Sequence, residues 1–371
     1  AVEPGSGSTI MAYAGICTSV YNVQSNSDPY FHSVSVNEMY NFISRSTDCS
    51  VKTANNNTAP VADAGLDYTI PYGTAFVLTG AGSDPDGDAV TYLWEQTDIS
   101  ALTLNPQPPT ATTVRGTVFR SYNPKTTPER YVPQMSSIAA NNLTPTWEVI
   151  PSVARTLNFS LLVNDNKATG NQSARDLMIV TVANTGPFKV TSQDLAANYV
   201  GGSAITVTWD VAGTNAAPIN TQNVQIYISS DNGLTYPTLL AEVPNSGSAS
   251  VTLPNTDNGN ARIMVKAVNN IYFAVNAARF NINKNLAVTE AAFNKGFAIY
   301  PNPAKGEVNI SLINTSKGAT YQILDLSGKL ISNGSLQSEK TKVNISTLKT
   351  GTYRIVISNN GETTSKNLIV K

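Results

Sequence analysis

Most of this chain alternates short runs of β-branched and aromatic residues with turn residues. Within many of the runs apolar and polar positions alternate, which gives each run one apolar face. Strands of this kind bury their apolar faces by packing two sheets together. The clearest runs are 75–79, 90–94, 157–163, 178–182, 205–209, 224–228, 262–268, 308–312 and 353–357. The pattern therefore predicts a mainly β protein built of tandem Ig-like β-sandwiches.

A helical period is clear only near the N-terminus. Four apolar residues recur there at positions i, i+3, i+4 and i+7: Val36, Met39, Tyr40 and Ile43. They form one stripe of an amphipathic helix. Ser35, followed three residues later by Glu38, has the spacing of a capping box and predicts where the helix begins. We therefore expect a short α-containing unit ahead of the sandwiches.

Changes in composition divide the chain into four segments. They are residues 1–52, 53–185, 186–285 and 286–371. The proline-rich stretch 105–150 breaks the strand period, and an irregular insertion of this length is usually functional or mobile. Residues 283–290 have no strand period and are expected to be an accessible linker before the last segment.

The composition excludes several classes of protein. Charged residues are 13% of the chain and the net charge is −1, so no basic surface for nucleic acid is expected. No run of eighteen apolar residues predicts a membrane-spanning helix. No signal-peptide pattern follows Ala1, which favours processing or truncation of a longer gene product.

A small-residue run leads into a short apolar motif at residues 5–13, with the sequence GSGSTIMAY. This motif resembles the Met-turn of the metzincin zinc proteases. The resemblance implies that Met11 forms an apolar floor under a catalytic Zn²⁺. It also implies that Tyr13 either contacts the zinc or the oxyanion, or serves only in packing.

The zinc ligands of that clan come from a His-Glu-x-x-His-x-x-Gly-x-x-His motif upstream of the turn. This chain has a single histidine, His32, which we interpret as structural. The zinc ligands are therefore absent from the chain, and we expect it to bind no catalytic zinc and to be inactive alone. The resemblance places Zn²⁺ in a longer parent protein.

The next segment contains an acidic turn and a tryptophan strand. Residues 80–88 read GAGSDPDGD and residues 91–96 read TYLWEQ, which is similar to PKD-type Ig-like domains. Trp94 is the expected core side chain. Three carboxylates at alternate positions suit Ca²⁺, and Pro and Gly also suit a plain solvated turn. The candidate calcium ligands are Asp84, Asp86 and Asp88, with Asp165 as a distant fourth.

Two further modules follow. Residues 187–283 look like a fibronectin-type or Ig-like sandwich with a core Trp209. Asn232 and Gly233 offer the positive φ angles of a hairpin loop, in which Asp231 has a turn role.

The tail resembles the type A sorting domain of the type IX secretion system of Bacteroidota. Three motifs carry this resemblance: FAIYPNP at 297–303, YQILDLSGK at 321–329 and LKTGTYRIVI at 348–357. It implies handling by the secretion machinery and its sortase. It also implies a secreted or outer-membrane-attached protein.

The only two cysteines, Cys17 and Cys49, lie on either side of the predicted helix. A disulfide between them would tie the end of that helix to the Met-turn. The alternative is two free thiols, which an oxidising exterior rarely preserves.

Two functions stay open on the sequence. The order of the modules resembles reprolysin-like secreted metalloproteases of Bacteroidota, which predicts the C-terminal portion of an enzyme acting on protein or peptide substrates. The alternative is a non-enzymatic surface adhesin or glycan-binding protein whose N-terminus only mimics a Met-turn, since a fold does not fix a function.

Overall fold

A computed structural model describes residues 1–45, 51, 53–99, 108–285, 297–312, 318–359 and 362–371. The described chain is mainly β, and the predicted tandem-sandwich fold class is confirmed. It divides into two compact units, Ala1–Asn285 and Leu286–Lys371.

The first unit contains two helices and seventeen strands among its described residues. In chain order they are α1 (Ser33–Ile43), β1 (Val61–Asp63), β2 (Tyr68–Pro71), β3 (Ala75–Thr79), β4 (Ala81–Ser83), β5 (Thr91–Gln96), β6 (Glu129–Val132), α2 (Met135–Ala139), β7 (Arg155–Asn164), β8 (Ser173–Ala183), β9 (Lys189–Val190), β10 (Asn198–Val200), β11 (Ala204–Asp210), β12 (Asn223–Ser229), β13 (Thr238–Pro244), β14 (Ser248–Thr252), β15 (Asn258–Ala267), β16 (Tyr272–Val275) and β17 (Phe280–Asn283).

The first sandwich packs the sheet β2-β8-β7-β5 around an aromatic core. Phe76, Phe119 and Phe159 have ring centroids 5.9–6.0 Å apart. Trp94 is buried as predicted, and its indole Nε1 donates to the carbonyl of Pro128 at 2.8 Å. A buried indole needs such an acceptor because its N–H has left water.

An eight-stranded sheet runs from the first predicted sandwich into the second. Its main order is β10-β17-β15-β16-β3-β6, with β12 and β13 added beside β15. The link is antiparallel pairing of β3 with β16, in which Phe76 lies opposite Tyr272 and Ala75 opposite Phe273. One hydrophobic core extends through both sandwiches. The segments predicted as 53–185 and 186–285 therefore form one body.

The described part of the proline-rich stretch is packed into this body. Val118, Phe119, Val149 and Ile150 are buried in the core. Helix α2, which the sequence pattern did not predict, places Ile138 in a cluster with Ala75, Val77, Met264 and Phe273. The stretch thus covers the face of the shared sheet where the two sandwiches join.

A buried arginine fastens this covering segment to the second sandwich. Arg262 donates from Nη1 to the carbonyl of Ala139, the last residue of α2, at 3.1 Å. Its Nη2 donates to the carbonyl of Asn276 at 2.5 Å. The amide of Asn141 donates to the carbonyl of Ala277 at 2.8 Å. A cation near the C-terminus of a helix also complements the helix dipole.

The second sandwich contains the expected tryptophan and hairpin. Trp209 is buried, and its Nε1 donates to Oδ1 of Asn245 at 2.8 Å. β12 and β13 pair as a hairpin. In its loop Asn232 and Gly233 have φ angles of 64° and 89°, as the turn requires. Asp231 accepts hydrogen bonds from the backbone of Leu234 and Thr235 and so stabilises this loop.

Helix α1 begins at Ser33, so the predicted capping-box start at Ser35 is wrong. His32 is the N-cap residue, and its Nδ1 accepts from the backbone N–H of Val34 at 3.1 Å. The predicted apolar stripe is largely exposed: Met39, Tyr40 and Ile43 are all exposed. The helix is therefore held at its N-terminus and not along its apolar face.

The second unit forms a separate β-sandwich. Its strands are β18 (Phe297–Lys305), β19 (Glu307–Leu312), β20 (Thr320–Leu324), β21 (Leu330–Ser335), β22 (Lys340–Asn344), β23 (Gly351–Asn359) and β24 (Glu362–Val370). They are ordered β21-β20-β23-β24-β18-β19-β22. Fourteen buried apolar residues, including Phe297, Ile323 and Leu368, give this unit its own core.

Some predictions fall on residues that are not described. Cys17 is exposed, but Cys49 lies outside the described residues, so the disulfide stays a prediction. The part of the predicted linker at 286–290 also lies outside them. Among the described residues, neither helix has the length or apolar character needed to cross a bilayer.

We expect Arg262→Met to destabilise the first unit by about 2–3 kcal/mol, because several carbonyl acceptors lose a charged donor. Urea denaturation followed by tryptophan fluorescence measures this, since Trp94, Trp147 and Trp209 all lie in the first unit. The matched control is Arg279→Met, an exposed arginine that contacts Asn260. Equal stability of the two variants would show that the hydrogen bonds of Arg262 do not stabilise the first unit.

Candidate functional site

The Met-turn motif forms a tight turn at the surface. The N–H of Ala12 donates to the carbonyl of Thr9 at 3.0 Å, which makes Met11 the third residue of a four-residue turn. The N–H of Tyr13 donates to the carbonyl of Ser6 at 2.8 Å. Met11 and Tyr13 are each 65% exposed. The turn therefore presents both predicted site residues outward.

The base of the turn is buried and held by Glu3. The Glu3 carboxylate accepts from the backbone of Ser8 at 2.9 Å and from the hydroxyl of Thr9 at 2.6 Å. The backbone N–H of Thr9 donates to the same carboxylate at 3.3 Å. Ser8 and Thr9 are buried. One side chain thus fixes the conformation of residues that lead directly into Met11.

A buried polar cluster joins the N-terminal segment to the first sandwich. We call it the Glu95 junction; it comprises Tyr30, His32, Ser33, Glu95 and Ser121. The hydroxyl of Tyr30 donates to Oγ of Ser121 at 2.8 Å, and Oγ of Ser121 donates to Oε1 of Glu95 at 2.5 Å. The N–H of Ser33 donates to Oε2 of Glu95 at 2.5 Å. The side chain of Glu95 is 0% exposed.

Burial shifts the two titratable groups at the centre of the junction in opposite directions. Nδ1 of His32 lies 3.6 Å from Oε2 of Glu95. Burial raises the pKa of Glu95 to about 7 and lowers the pKa of His32 to about 4. Both shifts favour the neutral form, because removing a charge from water costs free energy.

Glu95 is not among the site residues predicted from the sequence. The available signal was a carboxylate directly after the core residue Trp94, in a strand whose last four residues are all buried. A buried carboxylate needs hydrogen-bond donors. Here those donors come from residues 33 and 121, far away along the chain, so their positions could not be deduced from local pattern.

The N-terminal segment exposes many large apolar side chains. We call them the N-terminal apolar residues: Ile10, Met11, Tyr13, Ile16, Val20, Tyr21, Phe31, Met39, Tyr40, Phe42 and Ile43. The only buried residue of α1 is Ser33. Concentrations of exposed apolar side chains mark interaction surfaces in soluble proteins. The segment is thus held to the sandwich by polar bonds and presents apolar groups outward.

The acidic turn brings three of its four predicted ligands together. One carboxylate oxygen each of Asp84, Asp86 and Asp88 lies within 4.8 Å of the others. Nζ of Lys167 lies 3.2 Å from Oδ2 of Asp88 and 4.0 Å from Oδ2 of Asp86. The interaction with Asp88 raises the pKa of Lys167. An ammonium group therefore already neutralises part of the cluster.

Asp165 is not part of that group of three. Its carboxylate accepts from the side-chain amide of Asn57 at 2.5 Å and from the backbone N–H groups of Lys167 and Gln172 at 3.1 Å. These bonds organise the loop that carries Lys167. Oδ1 of Asp84 accepts from the backbone of Asp86 and Asp88, which stabilises the acidic turn itself.

Comparison with protein families gives one match. Residues 298–371 match the model of the secretion system C-terminal sorting domain. The protein is thus a multi-sandwich protein sorted by type IX secretion and exported to the cell surface or the extracellular space. No curated protein sequence matches the chain.

Solved structures are also similar to this chain over most of its length. One is SGBP-B of the Bacteroides ovatus mixed-linkage glucan utilization locus, in complex with a mixed-linkage heptasaccharide; it shows 14% identity, 88% coverage of this chain, 69% of that chain and a TM-score of 0.16. Another is the BSP domain of a biofilm-associated protein, with 13% identity, 95% and 72% coverage, and a TM-score of 0.19.

We expect Glu3→Ala to loosen the turn, because two backbone N–H groups and a hydroxyl lose their acceptor. A lost buried hydrogen bond costs roughly 1–3 kcal/mol, so the amides of Ser8 and Thr9 should exchange about tenfold faster or more. Hydrogen exchange read by NMR measures this. Glu38→Ala, at an exposed position of α1, is the control and should leave these amides unchanged. Unchanged exchange in the Glu3 variant would contradict its role.

Proposed function

We propose that this chain is the C-terminal portion of a secreted zinc-dependent endopeptidase. It supplies the Met-turn, the ancillary sandwiches and the export domain. The observation that carries the proposal is the N-terminal segment: a tight turn whose base is held by Glu3, with Met11 in the turn and Tyr13 directly after it, both exposed. A floor under a metal site needs this combination of a rigid base and an outward-facing apolar group.

The exposed apolar groups also support a missing partner domain. In the proposed enzyme, the N-terminal apolar residues pack against the part of the catalytic domain that carries the zinc-binding histidines. Burial of apolar surface stabilises such an interface by roughly 25 cal/mol per Å². The ligands themselves lie outside these 371 residues, which contain one histidine.

The roles of the chain's own residues follow from the turn. Met11 would form an apolar surface at the zinc site and would supply no ligand atom. In the proposed enzyme the phenol of Tyr13 donates a hydrogen bond to the oxyanion that develops on the scissile carbonyl of a peptide. Zinc held by histidines outside this chain would act as a Lewis acid towards that carbonyl.

The first test is Tyr13→Phe in the full secreted protein, with zinc-dependent peptide hydrolysis as the readout. Loss of an oxyanion donor should lower kcat roughly 10²–10³-fold and leave KM unchanged. Tyr40→Phe is the matched control, because Tyr40 is also 65% exposed in the same segment. Equal activity of both variants would assign Tyr13 to packing. Absence of any chelator-sensitive hydrolysis would favour a non-enzymatic adhesin or glycan-binding protein.

We also propose that the acidic turn binds Ca²⁺. Its three carboxylates supply the hard oxygen ligands that Ca²⁺ prefers. Oδ2 of Asp84 is buried without a hydrogen-bond partner among the described residues, which fits a cation ligand. Lys167 competes for the same carboxylates. Asp165 positions the loop that carries this competing lysine.

Lys167→Gln removes the competing ammonium group and so distinguishes its effect from that of Ca²⁺. Without calcium the variant should melt at a lower temperature than the wild type, because three adjacent carboxylates then repel one another. Millimolar calcium should restore its melting temperature and raise it more than that of the wild type. The control is the double variant Lys167→Gln with Asp86→Asn, which should respond less. A Lys167→Gln melting temperature that is indifferent to calcium would leave the plain turn as the correct interpretation.

A further inference from the structure

The Glu95 junction contains two buried titratable groups that belong to different parts of the chain. Glu95 lies on β5 of the first sandwich, and His32 caps α1 of the N-terminal segment. Each side chain accepts a hydrogen bond from a backbone N–H at the start of α1: Glu95 from Ser33 and His32 from Val34. The first turn of a helix leaves such N–H groups without partners. The two side chains therefore supply acceptors for two N–H groups of the first turn of α1, one acceptor from the sandwich and one from the segment itself.

We propose that Glu95 and His32 are a matched pair of positioning residues that hold the N-terminal segment on the first sandwich, and that replacing either one by its neutral analogue makes this docking depend on pH. Other contacts support the same attachment. Tyr30 and Ser8 both donate to Ser121, at 2.8 Å and 3.4 Å, and Arg120 donates to Gln24. In the wild type the two groups have opposite pH dependences, so docking changes less with pH than it would with either group alone.

The sign of each contribution follows from burial. The raised pKa of Glu95 means that its contribution to docking is present below about pH 4.5 and is lost as the pH rises towards 7. The lowered pKa of His32 means that its contribution is present above about pH 6.5 and is lost as the pH falls towards 4. Between pH 4.5 and 6.5 the two contributions to docking therefore change with pH in opposite directions.

Other charged groups act on this pair but do not replace it. From the N-terminal segment, Glu3 acts on both groups, and Tyr30 contacts Ser121. From the sandwich, Arg130 and Arg175 lower the pKa of His32. Arg130 is engaged with Glu148 at 3.2 Å. Among the described residues, Glu95 itself has no ion pair with an arginine or lysine.

The functional consequence rests on the proposed function. If the segment carries the Met-turn of a protease, a residue of an ancillary sandwich helps to set the position of the active-site floor. The sandwich then contributes to the geometry of the active site. The physical proposal about docking is independent of this and is tested on the present chain.

The test compares Glu95→Gln and His32→Asn with the wild type between pH 4.5 and 6.5. Hydrogen-exchange protection of residues 3–45, corrected for the intrinsic rate, reports docking. In Glu95→Gln only the pH-dependent contribution of His32 remains, so hydrogen-exchange protection should fall by up to tenfold per pH unit as the pH decreases. His32→Asn keeps a residue suited to an N-cap. In this variant only the pH-dependent contribution of Glu95 remains. Its protection should fall as the pH increases, while wild-type protection should change less with pH than that of either variant.

Glu38→Gln is the matched control, because Glu38 is exposed on the same helix, and it should behave as the wild type. Protection of β7 and β8 in the core reports global folding, so a variant that unfolds is recognised. If only one variant folds, the sign of its slope still decides. Flat profiles in both variants, or slopes of the same sign, would overturn the proposal. Neither result would alter the outcome of the Tyr13 experiment.

Discussion

The architecture depends on the antiparallel pairing between β3 and β16. Two predicted sandwiches meet there, and Phe76 lies opposite Tyr272 in a continuous sheet. Backbone N–H and C=O groups at a sheet edge need partners when they are buried, and this pairing supplies them across the boundary. The shared core and the Arg262 contacts to α2 reinforce the same joint. The result is one platform on which the N-terminal segment rests.

The N-terminal segment reverses the usual arrangement of polar and apolar groups. Its buried contacts are hydrogen bonds to Glu3, Ser121 and Glu95, and its exposed groups are large and apolar. A segment that folded only for its own stability would bury the apolar stripe of α1. The arrangement is understandable if a further protein surface covers the N-terminal apolar residues, and this is the physical basis of the proposed protease assignment.

Local periodicity predicted the strands well, because each strand records its own apolar face. Trp94 and Trp209 are buried, and Asn232 and Gly233 form the hairpin loop. The start of α1 was predicted wrongly, because one of its N-terminal partners is Glu95, which lies 62 residues further along the chain. The β3–β16 pairing and the packing of the proline-rich stretch are equally non-local. The acidic turn was visible because its three carboxylates are adjacent, whereas the competing Lys167 was not.

The central claim is that the segment around Met11 belongs to a zinc endopeptidase. The most direct measurement is the zinc content of the protein isolated from the culture medium of its native host, together with the mass of the polypeptide that contains residues 1–45. We expect one zinc per polypeptide and a polypeptide that extends upstream of Ala1 through a His-Glu-x-x-His motif. A metal-free polypeptide without such a motif, and without chelator-sensitive peptidase activity, would contradict it.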